Sequence, residues 1–452
     1  MKIVLIGAGS AQFGFGTLGD IFSSTVLKGS EVDLVDTNGD ALKIVQKTTE
    51  AFIEREKLDF SIKATTDRKE VLPGADFVIS SIEVGNRFEL WDQDWTIPLQ
   101  YGIRQVYGEN GGPGGIFHAL RITPPILAIC TDIMELCPDA YVFNYSNPMT
   151  AIVTTVHRKF PQLKFIGLCH EIASIRRYVP SMLGTTFENL KYRAAGLNHF
   201  SVLLSASYRD TGKDAYPDIL EKAPSFFEKL PGFSELLRYA LKTGIYQDTE
   251  GTVEKLKTEA EEPVRSWSDR YLFKKILEVY HLLPITTDSH IGEYISWAFD
   301  GSDHQGILDF YTFYRNGLQH HKPEIQLKMK ERVVPIIEGI LTNSNYEESA
   351  VNVPNTDLLP ELPSFVAVEV PAIIGKDGVK GIRFDSYPKG FAALLRNYTG
   401  VYDLTAEAVL TGKRDFVVQA ILANPVVSEC NRIDELVDSM LNRQKQWLGY
   451  IK

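Results

Sequence analysis

The first third of the chain alternates short apolar, β-branched runs with longer segments that have helical spacing. The apolar runs predict five strands, at Lys2–Ile6, Glu31–Val35, Asp76–Ser80, Ala140–Asn144 and Lys164–Leu168. The segments between them predict helices at Phe13–Leu27, Ala41–Lys57 and Ile116–Glu135. Strict alternation predicts right-handed crossovers and a parallel sheet that is covered on both faces. Ligands of such a sheet bind at the carboxyl ends of its strands.

From about residue 200 the pattern becomes a mixture of short strands and helices. Helices are predicted at Leu236–Leu256, Tyr271–Leu283, Leu404–Ala423 and Asp434–Leu448, with strands and loops over 352–375. We therefore expect an α/β chain of two tightly packed domains. Residues 1–195 form the parallel-sheet domain. Residues 196–452 form an α+β domain for substrate binding, catalysis and oligomerisation.

A glycine-rich turn, Gly7–Ser10, follows the first predicted strand and precedes the first helix. Gly7 and Gly9 let a pyrophosphate approach the backbone, with Ser10 at the helix N-terminus. A third glycine, usual at position 12, is replaced by Gln. Asp36 ends the second strand, where an acid binds ribose hydroxyls and repels a 2′-phosphate, and Ser81 follows the third strand. We interpret this as a Rossmann-like site for NAD rather than NADP. The alternative is a tight turn beside a surface Asp.

The composition of the chain mainly excludes certain classes of protein. Hydrophobic residues are 44% of the 452 residues and charged residues 23%, as in packed globular proteins. The net charge of −11 disfavours nucleic acid, because it repels phosphate backbones. Apolar runs fall short of the roughly 18 residues of a membrane span, and the first nine residues are too short for a secretory signal. Four cysteines form no dense disulfide framework. We expect a cytoplasmic enzyme that binds neither nucleic acid nor membrane.

Two further motifs follow the strands of the predicted sheet. Residues 108–115 contain five glycines, and Glu109 is the only charge among them. Ordering such a loop costs backbone entropy, which suggests close approach to a ligand, although a surface lid would also fit. Asn147 follows the end of the fourth strand and can bridge a nicotinamide-ribose and a substrate hydroxyl. An Asn-Pro turn that begins a helix is equally consistent with the sequence.

Candidate metal ligands and general bases come next. Cys169 follows the fifth strand, and His199 lies thirty residues later. A thiolate and an imidazole suit a divalent transition ion, although a buried Cys and a core His are commoner. Asp288 and His290 lie in a segment of titratable residues, and either could be a general base. The alternative is a charged helix start with Asp288 as its N-cap.

Together these motifs resemble glycoside hydrolase family 4, the NAD- and manganese-dependent glycosidases. The matching segments are Gly7–Ser10, Gly112–Gly115, Asn144–Met149, Leu168–Ile172 and Gly196–Phe200. The resemblance implies a lactate/malate dehydrogenase-like fold, with NAD and Mn²⁺ or another divalent transition ion as cofactors. It also implies a redox-elimination route. Hydride leaves carbon 3, a proton leaves carbon 2 and the glycosidic bond breaks; water then adds and the retained NADH returns the hydride.

The resemblance also implies roles for individual residues. Cys169 and His199 match the metal ligands, and Asn147 matches a residue that binds substrate. Gly7, Gly9, Ser10, Asp36, Ser81 and Asn147 then form the expected cofactor site.

The catalytic base is less certain from the resemblance. Glu109 matches an acid that polarises the base in members with a catalytic Tyr. This chain lacks the YLxYY motif of those members, so the base stays open. Asp288 is our first choice and His290 our second. His170 matches a residue on the leaving-group side and is a candidate both for substrate binding and for the general acid.

The tetrapeptide Cys169–Ile172 is similar to that of α-galacturonidases. We therefore expect an unphosphorylated α-galacturonide, with Arg87 binding its carboxylate. The alternatives are α-glucuronidase and α-galactosidase within the family. Outside it, they are a lactate- or malate-like NAD dehydrogenase and a non-catalytic nucleotide sensor. The expected partners are a small oligosaccharide or uronide and further copies of the chain, in a homo-oligomer that is a dimer or a tetramer.

Overall fold

The computed structural model describes residues 1–247, 252–253, 255–256, 263–320 and 323–452, without the side chains of residues 11 and 12. Its strands are β1 (Lys2–Ile6), β2 (Ser30–Val35), β3 (Phe60–Thr65), β4 (Phe77–Ser80), β5 (Tyr141–Asn144), β6 (Lys164–Gly167), β7 (Leu190–Leu197), β8 (Phe200–Tyr208), β9 (Leu283–Pro284), β10 (Tyr346–Pro354), β11 (Ala367–Gly375) and β12 (Gly378–Gly381). They form one sheet in the order β3-β2-β1-β4-β5-β6-β10-β11-β7-β8-β9, and β12 pairs with β11.

The helices of the first half are α1 (Ala11–Ser23), α2 (Gly39–Glu56), α3 (Arg87–Gln100), α4 (Gly112–Leu136), α5 (Met149–Lys159), α6 (Ala173–Leu183), α7 (Tyr216–Phe227) and α8 (Phe233–Thr243). Those of the second half are α9 (Tyr271–Tyr280), α10 (Asp288–Ile291), α11 (Ala298–Gly301), α12 (His304–His320), α13 (Val333–Thr342), α14 (Lys389–Thr411), α15 (Arg414–Leu422), α16 (Ile433–Arg443) and α17 (Lys445–Leu448). Short 3₁₀ turns occupy Arg68–Glu70, Phe187–Asn189 and Gly292–Tyr294.

The N-terminal half of the sheet confirms the predicted α/β class. Strands β1 to β6 all pair in parallel. The five predicted strands are present within two residues of their expected bounds. The four residues of β4 are all buried, as expected for a strand covered on both faces. The carboxyl ends of these strands therefore share one edge of the sheet, where the predicted site residues begin.

Strand β3 and helix α3 are among the elements of this half that were not predicted. Strand β3 is an edge strand with no fully buried residue, so it lacks the apolar run that marks the inner strands. Helix α3 occupies a region for which no helix was predicted. Charged residues and Pro98 interrupt its apolar spacing, while the Asn86 side chain accepts the Glu89 N–H at its start. Helix α3 brings Arg87, its first residue, to the sheet edge.

The sheet continues without a break into the second half of the chain. Strand β10 pairs antiparallel with β6 and β11, and β11 pairs antiparallel with β7. These pairings confirm the strands predicted over 352–375. The helix predicted over Leu404–Ala423 is two helices, because Gly412 has φ 67° and ends α14 before α15 begins.

Helix α4 forms part of the central core. By length and apolar composition it alone among the described helices could cross a membrane, but 78% of that apolar window is buried inside the protein. Its first four residues, Gly112–Gly115, are the second half of the glycine-rich segment 108–115, so only residues 108–111 form a loop. The helix thus fixes the loop, and Glu109 within it, against the sheet edge.

Candidate active site

The turn between β1 and α1 is shaped by its glycines and by Asp36. Gly7 has φ 91°, and the N–H groups of Gly7 and Ala8 donate to the Val35 carbonyl at 2.9 and 3.1 Å. The Gly9 N–H donates to Asp36 Oδ2 at 2.7 Å. A Cβ on Gly9 would lie only 2.6 Å from Asp36 Cγ, so a larger residue would displace the acid.

A cleft of about 790 Å³ extends from this turn along the sheet edge. It brings together residues predicted from separate motifs: Gly7, Ser10, Asp36, Ser81, Arg87, Asn147 and His170. Glu83, His118, Tyr145, Tyr314 and Glu331, which were not predicted, also line it. The cleft is long enough to pass from the glycine turn to the motifs that follow β5 and β6.

Asn147 stands where β5 gives way to α5. The peptide bond between Asn147 and Pro148 is cis. The side-chain oxygen of Asn147, Oδ1, is buried and accepts no hydrogen bond from the described residues. Ser146 Oγ donates to the Ile82 carbonyl at 2.7 Å, which ties this turn to the one after β4. A buried, unpaired amide oxygen in a cleft is the kind of group that a ligand hydroxyl satisfies.

Cys169 and His199 meet beside the cleft. Cys169 Sγ lies 3.4 Å from His199 Nε2, although the residues come from the ends of β6 and the β7–β8 turn. Burial raises the pKa of the Cys169 thiol and lowers the pKa of the His199 imidazole, keeping both neutral without an ion. Asn110 Nδ2 contacts His199 Nδ1 at 2.9 Å, so the second ring nitrogen is already engaged.

Two more side chains complete this cluster. One ligand atom from each of Glu171, His199 and His290 lies within 4.8 Å of the others. Glu171 Oε1 is 3.4 Å from His290 Nδ1 and 3.9 Å from His199 Nε2. Burial raises the pKa of Glu171 to about 7. Burial disfavours a charged His290, yet Glu171 and Glu109 outweigh it and raise the His290 pKa to about 9.

Glu109 links His290 to Arg87. Its Oε1 accepts Arg87 Nη2 at 2.6 Å, and its Oε2 lies 3.6 Å from His290 Nε2. Burial alone would favour the neutral acid, but the His290 contact and the Arg87 charge hold the pKa of Glu109 below its usual range. The Glu109 and Asn110 N–H groups both donate to Glu293, which fixes the loop.

Asp288 lies elsewhere, contrary to our expectation that it serves as the base. Its two carboxylate oxygens accept the backbone N–H groups of Leu272, Phe273 and Asp303, at 2.9 to 3.0 Å. It is fully buried, and neither Asp288 nor His290 lines the cleft. The carboxylate is thus occupied in joining three segments of backbone. His290, two residues later, is the member of this segment that reaches the cluster.

His170 points into the cleft from the residue after Cys169. Its side chain is 64% exposed, stacks on Tyr145 with ring centroids 5.8 Å apart, and places Nδ1 3.1 Å from Glu331 Oε2. Glu331 comes from the segment before α13. Asp20 on α1 accepts the N–H groups of Lys330 and Glu331 at 2.8 and 2.7 Å.

Three functional residues carried no usable sequence signal. Glu171 entered the sequence analysis only as a member of the Cys169–Ile172 tetrapeptide. No role was predicted for Asn110, which follows Glu109 in the glycine-rich loop. Glu331 comes from a region without a motif, and only the packing of its segment on α1 brings it to the cleft.

Comparison with known proteins gives a family. Residues 2–185 match the family 4 glycosyl hydrolase profile, and residues 194–427 match the profile of the family 4 glycosyl hydrolase C-terminal domain. An α-glucosidase from Erwinia rhapontici is 60% identical over 451 residues, covering 100% of this chain and 99% of its own. An α-galactosidase from Bacillus subtilis (strain 168) is 29% identical over 100% of both chains. An α-galacturonidase from Lachnoclostridium phytofermentans is 26% identical over 99% and 97%.

The fold also matches a solved structure. A 6-phospho-α-glucosidase from gut microorganisms, solved in complex with NAD and Mn²⁺, superposes with a TM-score of 0.77. The two chains are 19% identical, and the superposition covers 98% of each. At this identity the likeness establishes the shared fold.

Proposed function

The chain belongs to the family 4 glycosyl hydrolases, and on that premise we propose that it hydrolyses an uncharged, unphosphorylated α-glucoside with NAD and a divalent ion such as Mn²⁺. The observation that carries the proposal is that one cleft runs from the glycine turn to His170, the residue after Cys169, and that Cys169 Sγ lies 3.4 Å from His199 Nε2. We further propose that residues 1–195 bind the dinucleotide and that residues 196–452 complete the sugar site.

The glycine turn fits a dinucleotide. Gly7 and Gly9 leave no room for a Cβ, because the Ser81 carbonyl and the Asp36 carboxylate pack against them. This packing holds the turn at the start of α1, where a helix N-terminus can bind a phosphate. Asp36 is half-buried at the cleft wall, where its carboxylate suits ribose hydroxyls. The unpaired Asn147 Oδ1 suits a further hydroxyl of the nucleotide or of the sugar. Ser10 and Ser81 line the same part of the cleft.

The donor set at Cys169 and His199 fits a divalent transition ion. A thiol sulfur and a neutral imidazole nitrogen 3.4 Å apart are soft and borderline donors, and Glu171 adds a carboxylate nearby. Asn110 Oδ1 has no hydrogen-bond partner in the described residues, and exchanging the two amide atoms would let it accept the His199 Nδ1 proton. That arrangement leaves His199 Nε2 free as a ligand. When bound, NAD takes and returns a hydride and the ion supplies Lewis acidity.

Among the chain's own residues, we assign proton removal from the sugar to His290 in its neutral form. Because its ring lies 4.5 Å from that of His199, a cation held by His199 would lower the His290 pKa from about 9 and favour that form. Its ring lies between Glu109 and Glu171, so both nitrogens face carboxylates that orient it. Its side chain is 11% exposed, which keeps bulk water away from the reacting carbon. Arg87 and Glu109 hold His290 from one side, and Glu171 holds it from the other.

We assign protonation of the leaving group to His170. Among the titratable residues of the cluster it is the most exposed, and exposure lets it exchange its proton with solvent. Stacking on Tyr145 and the contact with Glu331 orient the ring. Desolvation by the surrounding cleft walls opposes the charge, but Glu331 outweighs it and raises the pKa of His170, so a proton is available on it at neutral pH.

The charges of the cleft favour an uncharged sugar. Among the described residues, its lining includes two arginines, and both already pair with acids. Arg87 lies 2.6 Å from Glu109, and Arg68 lies 2.5 Å from Asp132. Glu83 and Glu331 add negative charge to the lining. A uronate carboxylate or a phosphate would have to displace one of these pairs.

The α-galacturonide prediction rests on Cys169–Ile172, and the structure gives that segment other partners. His170 contacts Glu331, and Glu171 contacts His290 rather than an arginine. The 60% identity to a chain named α-glucosidase further supports a glucoside, a substrate that we did not consider from sequence. We therefore rank the galacturonide second.

The test compares kcat/KM for p-nitrophenyl α-glucoside, α-galactoside, α-galacturonide and 6-phospho-α-glucoside with NAD, Mn²⁺ and a reductant. We expect the neutral glucoside to be cleaved fastest, by roughly 10-fold or more over the charged sugars. Cys169→Ser serves as the inactive control. Faster cleavage of the galacturonide would overturn the choice of sugar and leave the family mechanism intact.

A further inference from the structure

A row of four residues crosses the sheet behind the Cys169–His199 pair. Gly167 of β6 pairs with Asn352 of β10, Asn352 pairs with Glu369 of β11, and Glu369 pairs with Gly196 of β7. The row therefore joins the last parallel strand of the N-terminal half to the strands of the C-terminal half. We call these four residues the cross-sheet row.

Each end of the cross-sheet row leads directly to one of the proposed metal ligands. Cys169 is two residues after Gly167, and His199 is three residues after Gly196. Both glycines are places of close approach. A Cβ on Gly167 would lie 2.9 Å from that of Asn352, and a Cβ on Gly196 would lie 2.8 Å from the Ser201 Cα. Spacing across the row thus sets the spacing between the ligands.

The carboxylate of Glu369 holds both ends of the row. Its Oε2 accepts Asn352 Nδ2 at 3.1 Å on the β6 side and Asn198 Nδ2 at 2.8 Å on the β7 side. Its Oε1 accepts Ser201 Oγ at 2.9 Å. Asn198 immediately precedes His199, which is held at φ 61°, in the left-handed region that few residues other than glycine adopt.

These contacts leave Glu369 a buried acid whose partners are neutral. The residue is 3% exposed, and its three hydrogen bonds come from two amides and a hydroxyl. Burying a carboxylate without a cation is costly, so a purely structural link would be made more cheaply by Gln. A divalent ion at Cys169 and His199 would be the missing positive charge.

We infer that Glu369 is the positioning residue of the divalent-ion site, which fixes the separation of Cys169 and His199 and adds a negative charge behind them. The inference rests on the proposed function, since it assumes that an ion binds there. It assigns Glu369 no contact with the ion or the sugar. Its effect passes through Asn198 and Asn352.

The test measures Mn²⁺ binding to the full chain with NAD present, by electron paramagnetic resonance of the free ion. Glu369→Gln keeps the shape but removes the charge and one acceptor. We expect it to raise the Mn²⁺ Kd by about 10-fold or more, in the range seen when partners of metal ligands are removed. Glu369→Asp, which keeps the charge, should restore part of the affinity. Activity at saturating Mn²⁺ should fall less than activity at limiting Mn²⁺.

Glu348→Gln is the matched control. Glu348 is also a buried acid of this sheet, 1% exposed on β10, but it pairs with Arg332 at 2.7 Å. Its loss should lower the melting temperature without weakening Mn²⁺ binding. If Glu369→Gln does not fold, Asn352→Ala and Asn198→Ala each remove one of the two arms and should weaken Mn²⁺ binding to a smaller degree.

The outcomes separate this inference from the proposed function. Wild-type Mn²⁺ affinity in Glu369→Gln, or in both single-arm variants, would overturn the positioning role while glycoside hydrolysis stands. A wild-type chain that binds no Mn²⁺ would overturn the inference together with the metal part of the proposed function. Equal weakening by Glu348→Gln would also overturn it, because the effect would then follow stability rather than the cross-sheet row.

Discussion

At the residue scale, three carboxylates and three histidines around Cys169 make one connected charge system. Glu171 and Glu109 flank His290, and Glu331 contacts His170. His199 has no such acid as its nearest partner, and burial keeps it neutral. Each imidazole therefore has a different proton affinity, set by which acid it faces. In the proposed function, this separation lets a ligand, a base and an acid of the same residue type share one site.

The first prediction concerns the ligand sulfur. Cys169→Ser replaces a soft thiolate with a hydroxyl that binds a transition ion poorly. We expect metal-dependent turnover to be lost while the thermal unfolding curve without metal stays close to that of the wild type. Turnover assays with Mn²⁺ measure the loss of activity, and calorimetric melting without metal measures the unfolding curve. Full turnover by the variant, or by wild type in excess chelator, would contradict the assignment.

The second prediction separates His290 from Asp288. His290→Gln should lower kcat by about 10²–10⁴-fold, the usual contribution of a general base, with little loss of folding free energy. Asp288→Ala should instead destabilise the fold, because three buried backbone N–H groups lose their acceptor. Steady-state kinetics and urea unfolding of both variants provide the comparison. A stable Asp288→Ala enzyme with a kcat as low as that of His290→Gln would restore Asp288 as the base.

Sequence could predict the residues whose position follows a strand end. Asp36, Asn147 and Cys169 each end a predicted parallel strand, and parallel strands end at one edge. The choice between Asp288 and His290 could not be made that way, because they are two residues apart on a short helix and face different partners. Glu369 was equally hidden, since its role depends on strand pairing in the second half of the chain.

At the scale of elements, α1 and the segment before α13 are tied by a buried acid. Asp20 accepts the N–H groups of Lys330 and Glu331, and a Cβ on Gly19 would collide with the Gln326 carbonyl. This contact carries Glu331 into the cleft. Neither the acid nor the glycine belongs to a motif, so sequence alone gave no sign of it.

A third prediction follows from the Asp20 contact. Burial raises the pKa of Asp20 to about 6 in the folded chain. The folded state then binds more protons than the unfolded state between about pH 4 and pH 6, so this group's contribution to stability is largest at low pH and is lost as pH rises. The unfolding free energy of wild type, minus that of Asp20→Asn, should fall over this window. Urea titrations at several pH values measure it, and a flat or rising difference would refute the shift.

The fourth prediction concerns the packing of α3 on α4. Arg121 of α4 and Asp94 of α3 form a buried pair with two hydrogen bonds, and both also bond to Gln444. Arg121→Met leaves the buried carboxylate unpaired, and we expect a loss of about 3–5 kcal/mol in unfolding free energy. The exposed pair Arg104–Asp300 provides the control, since breaking it should cost at most about 1 kcal/mol. Equal costs for the two pairs by urea unfolding would contradict the argument.

At the scale of the whole molecule, one sheet carries the functional groups of both halves. Parallel strands present the nucleotide turn and Cys169, and antiparallel strands joined to them through β10 present His199. The α/β class could be predicted because alternation of strands and helices is a local pattern. The continuity of the sheet could not, because it depends on the single pairing of Asn352 with Gly167, which joins residues far apart in sequence.

The last prediction tests whether this shared site performs elimination. If His290 removes the proton from carbon 2, hydrolysis in D₂O should place deuterium at carbon 2 of the released sugar, because the ring exchanges its proton with solvent before returning it. Mass spectrometry and NMR of the product measure the label, and no net NADH should accumulate. A displacement mechanism would leave carbon 2 unlabelled.

Since the His290 side chain is only 11% exposed, slow exchange would reduce the label. A substrate deuterated at carbon 2 resolves this, because elimination then gives a primary isotope effect. Unlabelled product without an isotope effect would exclude the elimination route.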